Sequence, residues 1–255
     1  MRSGSAVWRL DLAYDGTPFC GWARQPDRRS VEGELEQALA TVLRERVRLR
    51  VAGRTDAGVH ALAQVASFST ERANLDPERL RLSLNSLLPP EIGVQGVTCA
   101  ADGFDARAAV GRSYRYRIWL PDARPVFERA YVWDVRGALE FAALQACAPL
   151  FVGHRDFSAL TPSARSYKTC VRDMRVASWR QSDDAREAVF EVTGGSFLHA
   201  MVRVMVGTMV DVAQGRLSVA DVARGIDGGA RRALGQTAPP RGLALVAVEY
   251  GKGSA

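Results

Sequence analysis

Hydrophobic and polar positions alternate with period two from Val7 to Tyr14, which predicts a half-buried strand. From Val31 to Glu45 the period changes. Leu35, Ala38, Leu39, Val42 and Leu43 recur at helical spacing, and Glu32 and Glu34 stand near the start, where a helix dipole favours acids. Between these two elements, Asp15 to Ser30 holds Gly and Pro and reads as a loop. Two further strands are expected over Val47–Ala52 and Ala63–Ser69. Asp76 and Pro77 open a second helix as cap and first-turn residue, and Pro89-Pro90 stop it after Leu88. Ile92 to Cys99 reads as another strand. The resulting order, βαββαβ, is that of the ferredoxin-like motif.

The second half varies that order. Ser113 to Leu120 alternates strictly, with Tyr114, Tyr116 and Ile118 on one face and Arg115, Arg117 and Trp119 on the other. A helix is expected over Ala138–Phe151, and strands over Cys170–Trp179 and Ala188–Thr193. Gly194-Gly195 leads into a Met-rich helix ending at Gly215, Ser218 caps a shorter helix through Ile226, and Leu243–Tyr250 closes the chain as a strand. The pattern predicts an α+β fold of two halves, residues 1–107 and 108–255.

Composition narrows the function classes. The chain of 255 residues has 47% hydrophobic and 24% charged residues, the balance of a soluble globular protein. Its formal net charge of +6 suits a polyanionic partner. Nearly all of the positive charge is arginine, with lysine only at Lys168 and Lys252; arginine forks onto phosphate and stacks on bases. Cys20, Cys99, Cys147 and Cys170 lack paired spacing, and His60, His154 and His199 are equally dispersed, which supports neither a disulfide framework nor a metal site. Met1 to Ala6 lack the apolar core of a signal peptide, and Phe197–Ala213 is too short and too polar for a membrane span. A cytoplasmic protein with no membrane attachment is expected.

Candidate chemistry concentrates in Gly53 to Ala61, Gly-Arg-Thr-Asp-Ala-Gly-Val-His-Ala. Gly53 permits a sharp exit from the preceding strand, and the turn presents Arg54 and Asp56. Taken alone, Asp56 reads equally as a helix cap or a turn aspartate bonding its own backbone. Arg203 sits on an otherwise apolar helix, so it either reaches solvent or meets a carboxylate. Tyr114 reads either as a sheet aromatic packed on the core or as a site residue. Arg54 either stiffens its loop by pairing with an acid or reaches a ligand.

The nonamer resembles the signature of the tRNA pseudouridine synthase A family (TruA), and the resemblance covers essentially the whole chain. Phe197-Leu198-His199-Ala200-Met201-Val202-Arg203 with Gly207 is similar to the family's second characteristic helix. Phe104-Asp105-Ala106-Arg107 resembles its Phe-His-Ala-Arg segment, with Asp105 where the family usually has histidine. Tyr14-Asp15-Gly16, Gly21-Trp22-Ala23-Arg24-Gln25, and Gly242-Leu243 through Val248-Glu249-Tyr250 match further landmarks. The resemblance implies two ferredoxin-like (RRM-like) halves with mainly antiparallel sheets around a central active-site cleft. It implies isomerisation of uridine to pseudouridine at positions 38, 39 and 40 of the tRNA anticodon stem-loop. Asp56 would be the catalytic residue and Arg203 its ion-pair partner. Tyr114 would stack on the target base, Arg54 would help hold the nucleotide out of the stack, and Arg107, Phe104 and Arg24 would contact RNA. It further implies a homodimer and no cofactor, neither metal nor nucleotide. Two other readings compete: a non-catalytic RNA-binding protein built on ferredoxin-like halves, and a small-molecule enzyme using Asp56 as acid or base.

Overall fold

The computed structural model describes residues 6–72, 75–120 and 124–251. The reading of Met1 to Ala6 therefore lies, apart from Ala6, outside the described residues, as does Lys252. The chain divides into two compact units, Met1–Arg112 together with Leu245–Ala255, and Ser113–Ala244. Sequence pattern alone divides it at residue 107 and leaves the last strand with the second half; in the structure that strand counts, from Leu245, with the first unit.

In the first unit, β1 (Ala6–Tyr14) runs antiparallel to both β3 (His60–Thr70) and β4 (Ile92–Cys99). Its alternation is expressed as burial: Trp8, Leu10, Leu12 and Tyr14 face inward, while Arg9 and Asp11 are half-buried and pair with each other at 2.7 Å. A short β2 (Arg50–Val51) pairs antiparallel with β3 opposite Ser67 and Ala66. The strand order β4-β1-β3, with β2 on β3, is the one the ferredoxin-like motif generates. The helices α1 (Val31–Leu43) and α2 (Pro77–Leu87) bury Leu35, Leu39 and Leu43, and Leu80 and Leu84. Ser30 caps α1 by accepting from Gly33 N at 3.3 Å, and Asp76 caps α2 by accepting from Glu78 N and Arg79 N.

The expected strand Val47–Ala52 pairs at only two residues. Its alternation is real, since Val47 and Leu49 are buried and Arg48 and Arg50 exposed. However, Leu49 N donates to Glu36 Oε1 of α1 at 3.4 Å, so the helix takes a group that a ladder would otherwise use.

The second unit orders β5 (Gly111–Trp119), β9 (Glu187–Gly194), β8 (Val171–Gln181) and β7 (Gly153–Asp156), with β6 (Trp133–Asp134) parallel to β5. Strands β7 and β9 are both antiparallel to β8. On β5, Tyr114, Tyr116 and Ile118 are buried, and Arg115 and Arg117 pair across the sheet with Glu191 and Glu187. Three helices follow the chain order: α3 (Phe141–Cys147), α4 (Met201–Ala213) and α5 (Val219–Asp227). Ser218 and Asp221 form a reciprocal capping box on α5.

Two helices are shorter than expected. The helix read over Ala138–Phe151 is α3 followed by a 3-10 turn, Ala148–Phe151. The chain arrives extended because Glu140 N donates to Ala213 O at 3.0 Å, and Pro149 brings no N–H to continue an α-helix. The Met-rich helix begins at Met201, after Ala200 in the left-handed region (φ 58°). Upstream, Gly195 N donates to Asp173 O at 3.0 Å, which holds the chain extended beside β8. No pattern announces β6, with two residues, or β7, whose Gly-His-Arg-Asp carries no apolar alternation. The C-terminal strand is β10 (Leu243–Glu249).

Candidate active site

Asp56 stands, half-buried, in the connection between β2 and β3. That connection has no regular structure of its own, and its neighbours fix it. Trp22 N donates to Thr55 O at 3.0 Å, and Gly58 N donates to Phe19 O at 3.3 Å. Both come from the 15–30 loop, so the Asp56 loop is sewn to a second loop through backbone groups. Val59 N closes the turn onto Asp56 O at 3.1 Å.

Glycine makes this approach feasible. A Cβ at Gly16 would lie 2.0 Å from Val59 O, and one at Gly21 would lie 2.7 Å from Thr55 O. Gly21 also adopts φ +110°, where L side chains are strained. Beneath the loop, three neutral side chains form a buried network. Tyr14 Oη lies 2.8 Å from Thr55 Oγ1, and Gln64 Nε2 donates to Tyr14 Oη at 3.2 Å and to Gly53 O at 2.7 Å. Burial pushes the Tyr14 phenol up to about 12, so it stays neutral. His60 closes the far side. Its Nδ1 lies 3.1 Å from Gly16 N and 3.2 Å from Asp15 Oδ1. The amide donates only to an unprotonated Nδ1, whereas the carboxylate needs that nitrogen to carry a proton.

Entry to the loop is held by a buried cation that sequence reasoning missed. Arg112 donates from Nε to Ala52 O at 2.9 Å and also to the carbonyls of Ala109 and Arg107. A guanidinium at this burial is tolerable because carbonyl oxygens surround it. Arg112 thereby ties the residue before Gly53 to the Phe104–Arg107 segment. In that segment Phe104 is buried in a cluster with Ala52, Val65, Ala106 and Ala109, its ring 5.1 Å from that of Tyr250. Phe104 is a core residue here, which explains why only the polar members of the segment reach solvent. Asp105 accepts from Arg107 N at 2.9 Å, from Arg107 Nη2 at 2.7 Å and from Arg50 Nη1 at 3.1 Å. The Arg107 side chain beside it holds the Asp105 carboxyl below the usual carboxylate range. Arg54 is exposed, and Arg24 is exposed with its Nη1 3.4 Å from Glu36.

The second unit brings Tyr114 and the motif around Arg203 together. The Tyr114 ring is buried and meets the edge of Phe197 at 4.9 Å, the two planes 76° apart. All of α4 is buried except Arg203, which is half-buried. Arg203 is clamped by the 234–239 segment: its Nε donates to Ala238 O at 2.8 Å, and Ala238 N donates back to Arg203 O at 3.0 Å. The same segment is stitched further along α4. Gly235 N donates to Thr208 Oγ1 at 3.1 Å and Gln236 N to Asp211 Oδ2 at 3.0 Å. Arg216 Nε completes the Asp211 carboxylate at 2.9 Å. Gly207 is required for this contact, since a Cβ there would lie 1.9 Å from Gln236 O. Sequence reasoning singled out Gly207 but not Thr208 or Gln236; a polar pair one turn apart on an apolar helix, Thr208 with Asp211, was the available signal.

Among the described residues no group of three or more His, Cys, Asp or Glu is placed to hold a metal ion, and no helix is long and apolar enough to cross a membrane.

A family model described as tRNA pseudouridine synthase matches residues 12–107 and 147–251. The tRNA pseudouridine synthase A of Geobacter sulfurreducens is 42% identical over 95% of this chain and 98% of its own length. The chain belongs to the tRNA pseudouridine synthase A family. Members from Solidesulfovibrio magneticus (42% identical, 95% of this chain and 90% of that one) and Syntrophotalea carbinolica (40%, 96% of each) share the name. The family isomerises uridine to pseudouridine in tRNA. Solved structures matched include an archaeal box H/ACA sRNP Nop10–Cbf5 complex, 12% identical, covering 91% of this chain and 58% of that one at a TM-score of 0.34, too distant to inform the site.

Proposed function

We propose that this chain isomerises uridine to pseudouridine in the tRNA anticodon stem-loop, at positions 38, 39 and 40. The observation that carries the proposal is the intact nonamer, with Asp56 on a loop pinned by backbone groups from its neighbour, in a chain of this family. The reaction breaks the N1–C1′ glycosidic bond, turns the uracil and rejoins it to C1′ through C5. The hydrogen lost from C5 is balanced by the one gained at N1, so no outside group, oxidant or cofactor enters the balance.

Asp56 is the reacting carboxylate, either as nucleophile at the sugar or pyrimidine or as the base that starts glycal formation. Arg203 is the cation that pairs with Asp56 and aims its oxygens. Its guanidinium is well prepared for that task, because Ala238 O already fixes Nε. Tyr114 stacks on the everted base, and exposed Arg54 fills the space the nucleotide vacates and bonds its phosphate. Arg24 and Arg107 contact the RNA backbone, and Phe104 supports Arg107 from within the core. The protein acts in the cytoplasm as a homodimer on one tRNA.

The test is a pseudouridine map of an unmodified tRNA transcript incubated with the purified protein. New pseudouridine confined to positions 38, 39 and 40 is the expected outcome. A transcript left unchanged, or modified elsewhere, would contradict the assignment.

A further inference from the structure

A groove of about 1000 Å³ lies in the first unit, lined by the 24–30 segment, the outer face of α1 and residues 46–49. Five arginines line it: Arg24, Arg28, Arg29, Arg46 and Arg48. Four carboxylates line it too, but three are already engaged. Glu32 Oε2 accepts from Arg24 N at 2.8 Å, Glu34 pairs with Arg29 at 2.9 Å, and Glu36 accepts from Leu49 N and Arg24 Nη1, each at 3.4 Å. These bonds hold the groove's three walls to one another. Arg28, Arg46 and Arg48 are exposed and make no ion pair or side-chain hydrogen bond among the described residues. One lining carboxylate, Asp27, stands outside these pairings.

We propose that this groove is a track for tRNA backbone phosphates, gripped by Arg28, Arg46 and Arg48 and distinct from the residues that handle the target base. Guanidinium forks match phosphate oxygens two at a time, and a groove this size exceeds a single phosphate but suits several consecutive ones. Position in the fold supports it. The loop that supplies Arg24 and Arg28 also supplies Phe19 and Trp22, which bond the Asp56 loop, so track and reactive loop share one scaffold. The acids serve as wall ties, so the cationic excess is directed outward. The proposal rests on tRNA being the substrate.

The test combines Arg28→Gln, Arg46→Gln and Arg48→Gln in one variant and measures binding of a full-length tRNA transcript across a salt series, with single-turnover pseudouridine formation alongside. Affinity should fall by about tenfold and the slope of log K against log salt should shrink by about 2, given ~0.7 per lost contact. The rate constant at saturating enzyme should stay within about twofold, since no residue near Asp56 changes. A variant losing the same charge outside the groove, Arg79→Gln with Arg180→Gln and Arg186→Gln, should shift affinity much less. Unchanged affinity and slope in the groove variant would overturn the track, and so would an equal loss in the outside variant. Failure of the functional reading would show separately, as an unmodified transcript with the wild-type protein.

Discussion

The two units hold their key side chains by different means. Around Asp56 most of the ties run through backbone and neutral side chains, the bonds from Trp22 and to Phe19 and the Tyr14–Thr55–Gln64 network, with one cation, Arg112, behind the loop at Ala52 O. Around Arg203 the ties include charge, with Asp211 and Arg216 anchoring the segment whose Ala238 fixes the guanidinium. Both rely on glycine where backbone meets backbone. The difference follows from the tasks. The ties to Trp22, Phe19 and Gln64 engage the backbone of the Asp56 loop, so the shape of the loop is set independently of the charge on the proposed reacting carboxylate. An arginine on a buried helix must instead be recovered from a dry setting, which calls for carbonyls on one side and a carboxylate further along.

Replacing the two side chains proposed to do chemistry should have the largest effects. Arg203→Ala should lower turnover by at least about 100-fold, with tRNA affinity reduced far less; single-turnover rates beside filter binding separate the two. An Arg203→Ala protein of normal rate would remove the charged half of the comparison. The glycines come next. Gly16→Ala and Gly207→Ala should each cost about 1–3 kcal/mol, read as a lower urea midpoint, because backbone oxygen already occupies the Cβ position. Equal losses in both would show that the two clamps share this requirement.

Asp211→Asn separates the clamps. It should destabilise by about 1–3 kcal/mol and slow turnover by loosening the 234–239 segment. Thr55→Val, its counterpart in the neutral network, should cost about 1 kcal/mol. Thermal melts at low and high salt give the contrast, since only the Asp211 clamp holds an ion pair with a half-exposed partner. The smallest effect concerns alkali. Burial pushes Tyr14 up to about 12 from a usual 10. Its neutral form belongs to the folded state, so the associated stability is complete below pH 10 and is lost as pH rises towards 12. Tyr250, likewise raised to about 12, shares that window, so Tyr14→Phe should flatten the alkaline decline without abolishing it.

Much of this was legible in the sequence wherever local signals agreed. The alternation of β1, the helical spacing and early acids of α1, the Asp76 cap and the proline stop after α2 each placed an element to within about two residues, because the same side chains that set the period also set the burial. Reading failed where a group distant in the sequence decided the outcome. Glu36 takes Leu49 N and shortens β2, Ala213 O holds Glu140 N and delays α3, and Asp173 O holds Gly195 N and delays α4. The nonamer marked the Asp56 loop as the candidate, yet the reasons for Gly16 and Gly21, and for Arg112 behind Ala52, lie in contacts 30 or more residues apart. Asp105 shows the same limit. Its departure from the family pattern was visible, while its grip on both Arg50 and Arg107 required the fold.

The most direct measurement compares Asp56→Asn with the wild-type protein in single-turnover reactions on an unmodified tRNA transcript, with binding followed in the same samples. The account predicts normal tRNA binding and no pseudouridine above background, since the amide keeps the shape of the side chain and loses the charge. Pseudouridine formed at close to the wild-type rate would place the chemistry on another residue and contradict the account.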